Sequence, residues 1–188
     1  MGRLVHALVS TSEIILIIIL IGVVINMLSD KITQFLYKHF GKFITILVMN
    51  YITFIGVIHH ELAHAIFAFL TGAKVIKVQL FSVNKNTLGQ VLYVTRGNAI
   101  TKSIQDTLAS VAPVIAGMLS EYYLYRLLTT YDVSGALKLV IYYIMVSILC
   151  HMRMSKQDLR MFLRGLPIFC LVMFVIIYIT QVNILSMI

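Results

Sequence analysis

Residues 60–64 read His-Glu-Leu-Ala-His within the apolar run GVIHHELAHAIFAFLTGAK, residues 56–74. On a helix, positions i and i+4 share one face about 6 Å apart along the axis, so His60 and His64 can converge on one metal ion. Glu61 then stands beside that ion, placed to take a proton from a bound water. Such a centre hydrolyses bonds, and it must leave one coordination position open for the water or for a scissile carbonyl. With six His and three Glu in 188 residues, the H-E-x-x-H pattern arises by chance in about 0.3% of such chains, so it is read as zinc chemistry. His59 lies about 100° round the helix from His60 and is placed outside the ligand set.

The elements that must hold this cluster belong to a membrane protein. The chain is 60% hydrophobic and 12% charged, with a mean hydropathy of +0.96; a soluble domain is nearer half apolar and a quarter charged. Polar residues deep in a membrane helix are costly and usually functional, which favours a metal site over a polar face that pairs with itself. Five runs approach the roughly 20 apolar residues needed to span: 12–29, 43–71, 104–128, 134–152 and 165–186. The second carries the motif and ends at Gly72, a natural left-handed stop. In the third, Pro113 and Gly117 imply a kink or close helix packing. Between the second and third, KVIKVQLF and GQVLYVT flank the polar SVNKNTL and read as a small β-hairpin at the membrane surface. The fold class is therefore an all-α polytopic membrane protein with about five transmembrane helices, in one domain (1–188, core about 43–165).

The net charge of +8 is spread singly between apolar runs, which excludes a nucleic-acid stripe and suits helix flanks. Cys150 and Cys170 lie in apolar runs without a CxxC and read as inert thiols. Arg3 followed by an apolar core, with no small-x-small cleavage pattern after it, reads as a retained anchor. If all five runs span, ten basic residues, among them Arg3, Lys74, Lys102, Arg153 and Arg164, share one side. Five (Lys31, Lys38, Lys42, Arg126, Lys138) face the other. This places the N-terminus, the hairpin and the motif on the cytoplasmic side of a multi-pass cell-membrane protein.

A catalytic zinc takes a third protein ligand. From the motif's side, Glu13, Asp106, Asp158, His6 and His151 can approach. Asp158 stands in MSKQDLRMFLRGLP, at the start of the last helix. There it is equally a first-turn carboxylate complementing the helix dipole, with Ser155 as N-cap.

Four features in order over about 43–165 resemble the site-2 protease family of intramembrane zinc metalloproteases. They are HELAHAIFAFLTGAKV, the strand pair VIKVQLF…LGQVLYV, the small-residue stretch LASVAPVIAG, and a helix ending just before Asp158. The resemblance implies one zinc held by His60, His64 and Asp158, with Glu61 as general base, acting on membrane-embedded or membrane-associated peptides in the lipid bilayer. It implies a minimal core without a PDZ or CBS domain. The Asn-Pro that such proteins carry before the aspartate is replaced here by Cys150, His151 and their neighbours, and Leu159 follows Asp158 in place of glycine. His151 is read as a satisfied helix-end histidine before a substrate-orienting one. A non-proteolytic zinc scaffold is the alternative function, with a small transporter ranked behind it. The hairpin around Val75–Phe81 is expected to hold an unwound substrate by strand addition.

Overall fold

The computed structural model describes residues 2–82 and 88–182, so the turn at 83–87 and the end of the fifth run at 183–186 lie outside the described residues. The chain is mostly helical, with α1 (Gly2–Ile46), a π-helical turn (Leu47–Ile52), α2 (Phe54–Leu70), β1 (Lys74–Gln79), β2 (Gln90–Val94), α3 (Ala99–Thr130), α4 (Gly135–His151) and α5 (Lys156–Thr180). β1 and β2 form an antiparallel pair, with Val75 opposite Tyr93 and a bulge between Val75 and Lys77. Two helical stretches, Gly2–Ile52 and Lys156–Thr180, are long and apolar enough to cross a membrane; α2 and α4 are apolar but shorter.

The first two runs divide differently from the sequence expectation. Residues 30–40 continue α1, because DKITQFLYKHF contains neither Gly nor Pro to stop it. The break falls at Gly41, whose φ of 75° only glycine adopts without strain. Residues 2–40 would run about 58 Å at 1.5 Å per residue, longer than a bilayer's hydrocarbon core, so part of α1 must lie outside it. A second break at Thr53 separates the π-turn from α2. Its loose backbone groups find partners on α4: Gly56 N–H donates to Ser147 Oγ (2.8 Å), and Ser147 Oγ–H donates to Thr53 O (2.9 Å). Gly72 does end α2, with φ 86° and Ala73 N–H returning to Ala68 O at 2.9 Å.

Helices meet through small residues. A methyl at Gly56 would lie 1.9 Å from Ser147 O, and one at Gly165 would lie 2.3 Å from Thr107 Oγ1. α3 runs on through Pro113 without ending, and Gly117 makes room for the Met152 side chain, so close packing is the outcome there. Ile25, Val114, Ile148 and Met152 form a core joining α1, α3 and α4. A second cluster of Ala68, Ala73 and Ala109, with Val75 and Tyr93 against it, seats the strands on α2 and α3. Buried Gln105 fixes that seat: its Nε2–H donates to Thr71 O (3.0 Å), and its Oε1 accepts Arg96 N–H (2.8 Å).

The loop-charge count needs a correction. It set Lys31 and Arg153 on opposite sides, yet Asp30 pairs with Arg153 at 3.0 Å. Ser29 Oγ–H donates to Cys150 O at 3.0 Å, and Met154 N–H to Asn26 Oδ1 at 3.2 Å. Residues 26–30 therefore sit at the level of the α4–α5 connection, and the count no longer separates two faces.

Candidate metal centre

His60 and His64 stand on one face of α2, and Asp158 enters from the first turn of α5. His64 Nε2 is 3.1 Å from His60 Nε2 and 3.4 Å from Asp158 Oδ1. All three ligand atoms lie within 4.8 Å of one another, the one such group among the described residues. His64 and Asp158 are buried, 7% and 6% exposed.

The other ring nitrogens decide what these atoms are. His60 Nδ1–H donates to His151 O and His64 Nδ1–H to Ala109 O, each at 2.7 Å. A carbonyl can only accept, so each ring carries a proton on Nδ1 and turns Nε2, a metal ligand when unprotonated, inward. Both carbonyls are available because their own helices cannot use them. Ala109 O would bond the N–H of residue 113, but Pro113 has none. His151 is the last residue of α4, and the N–H four residues on, Ser155, is taken by Asp158 Oδ2 at 2.8 Å.

Asp158 meets both sequence readings at once. Oδ2 completes a capping box with Ser155, whose Oγ accepts Asp158 N–H at 3.1 Å, while Oδ1 faces the imidazoles. Two imidazole nitrogens and a carboxylate oxygen thus converge on one space. Three such acceptors repel one another unless a cation or proton lies among them. The donor set therefore fits a divalent ion, with two imidazoles and a carboxylate as in three-ligand zinc sites.

Glu61 borders the same space. A cavity of about 250 Å³ is lined by His60, Glu61, His64, Asp158, Gln90 and Tyr93. A second, polar cavity of about 690 Å³ opens beside it, lined among others by Asn26, His60, Glu61, Gly89, Arg153 and Lys156. Gly89, just before β2, comes so close that a methyl there would lie 2.5 Å from Glu61 Cγ. β2 thus lines the metal cavity, where the sequence pointed to Val75–Phe81. Burial, with the Asp106 and Asp158 carboxylates nearby, holds the Tyr93 phenol well above its ordinary range, so it stays a donor.

The remaining candidates fall elsewhere. Glu13 is exposed and thirteen residues before Asn26, about 20 Å along α1, and His6 is farther still. Asp106 lies outside the ligand group. His59 bonds Ser120 Oγ at 2.9 Å. His151 Nε2 is satisfied by Thr53 Oγ1 at 2.9 Å, and it is the backbone carbonyl that serves the centre. Gly89 and Asn26 carry no role in the sequence reading, and Pro113 is read there only for a kink or close packing.

A family model described as Peptidase M50B-like matches residues 35–188. The chain belongs to this family. The match spans His60, Glu61, His64 and Asp158, and it bears out the resemblance to site-2 proteases. No curated protein and no solved structure matches the chain. In this M50B-like chain, residues 1–34 lie outside the matched stretch, and they include the part of α1 that contacts the polar cavity.

Proposed function

We propose that the chain is a multi-pass intramembrane zinc metalloprotease that cleaves membrane-embedded or membrane-associated peptides. His60, His64 and Asp158 would hold one zinc, and Glu61 is the general base. The observation that carries this reading is the convergence of two imidazole Nε2 atoms and Asp158 Oδ1 within 4.8 Å, beside a glutamate that shares their cavity. A bound zinc would supply Lewis-acid polarisation of the scissile carbonyl and a more acidic water. Glu61 takes the proton from that water and later delivers it to the leaving amine. His151 O and Ala109 O keep both imidazoles turned inward throughout.

A helical substrate hides its amides in its own hydrogen bonds and must be extended to be cut. β1 pairs with one edge of β2, and Gln90, Val91 and Tyr93 border the metal cavity, so β2 is the strand suited to hold the extended segment. The test is Glu61→Gln. It is expected to keep its metal, measured by elemental analysis of the purified protein, and to lose cleavage by about 10²- to 10⁴-fold. The assay compares membrane peptides of cells expressing wild type with those of cells expressing the variant. An unchanged peptide set would end the proteolytic reading.

A further inference from the structure

An apolar cleft of about 440 Å³ lies between α1, α3 and α5, walled by residues such as Ile21, Gly22, Val114, Leu119 and Phe162. It shares Asn26 and Met154 with the polar cavity that reaches His60 and Glu61. Asn26 is half-buried at this junction. Its amide has a fixed orientation, because Oδ1 accepts the Met154 backbone N–H at 3.2 Å and a backbone N–H can only donate. That leaves both Nδ2 protons without a partner among the described residues. Other side-chain donors on the polar cavity are committed or peripheral. His60 gives Nδ1–H to His151 O, His151 bonds Thr53, Arg153 is drawn to Asp30, and Ser155 and Lys156 are exposed.

We propose that Asn26 Nδ2 binds a backbone carbonyl of the substrate where the peptide leaves the apolar cleft and unwinds toward Glu61. The proposal rests on the proteolytic reading above. A peptide helix keeps its own hydrogen bonds in an apolar cleft, but once its turns open each freed carbonyl needs a donor. Asn26 offers an uncharged one at the boundary between the two environments, without losing its tether to Met154. It lies outside residues 35–188, so the family match does not assign it.

Three substitutions separate this role from a structural one. Asn26→Asp keeps an acceptor for Met154 N–H but has no N–H₂; Asn26→Gln keeps the amide; Asn26→Ala has neither. Cleavage is read from the membrane peptides that differ between cells expressing wild type and Glu61→Gln, with metal content and melting temperature of each purified variant alongside. Asn26→Asp and Asn26→Ala are expected to cleave at least tenfold more slowly, with Asn26→Gln above both and metal content unchanged. Wild-type cleavage by Asn26→Asp, or Asn26→Gln falling below it, would overturn the proposal and leave the protease reading intact. If wild type and Glu61→Gln give the same peptides, the protease reading itself falls and takes this role with it.

Discussion

At the scale of single residues, the centre is shaped by groups that make no contact with the ion position. Pro113 matters because of the hydrogen bond it cannot make: the freed Ala109 carbonyl orients His64. In Pro113→Ala the new N–H would compete for that carbonyl. Metal affinity is then expected to weaken by about 10- to 100-fold, read by competition with a chelator of known affinity. Asp158 divides its two oxygens between helix cap and cluster, which makes its roles separable. Asp158→Asn keeps an oxygen for Ser155 N–H but turns an amide toward the imidazoles, so it should lose metal while α5 stays capped. Asp158→Ala should lose metal and about 1 kcal/mol more stability, measured by denaturation of the metal-free proteins.

At the scale of elements, two glycines carry distinct burdens. Gly56 lets α2 approach α4 closely enough for His60 to reach His151 O. Gly56→Ala would place a methyl 1.9 Å from the Ser147 carbonyl, so the helices must part. The expected cost is about 1–3 kcal/mol of stability, with metal lost as well, seen in thermal unfolding and elemental analysis. Gly89 acts on one side chain only. Gly89→Ala would place a methyl 2.5 Å from Glu61 Cγ and push that side chain aside, and is expected to reduce cleavage while metal content stays at the wild-type level. Metal loss from the first added methyl and not from the second would show that the α2–α4 contact builds the centre and the strand positions the base.

At the scale of the whole molecule, the candidate ligands come from α2 and α5, and their orienting carbonyls from α3 and α4. An ion bound there ties four helices together, so removing it should loosen the assembly as a unit. At a free metal concentration about 1,000 times Kd, the folded protein gains roughly 4 kcal/mol, which a chelator should abolish as a fall in melting temperature. The Asp30–Arg153 pair also joins distant parts of the chain, but both side chains are about half exposed. Asp30→Asn is accordingly expected to leave the melting temperature nearly unchanged, since exposed pairs contribute between 0 and about 1 kcal/mol.

The sequence by itself determined what lies within one helix or one turn. His60, Glu61 and His64 follow from helical periodicity, the stop at Gly72 from its permitted φ, and the strand pair from β-branched runs around a polar turn. It also brought Asp158 forward, through the side that loop charge gave it and through the family resemblance, with the cap by Ser155 as the competing reading. Where α1 breaks, which level residues 26–30 occupy, and which strand faces the metal cavity were decided by tertiary packing. Each depends on contacts between segments far apart in the chain, such as Asn26 with Met154 and Gly89 with Glu61. Local periodicity and loop charge carry no information about such contacts. A proline's missing N–H is visible in any sequence, but only the fold shows that the carbonyl it leaves free, on Ala109, is taken by a histidine forty-five residues from it.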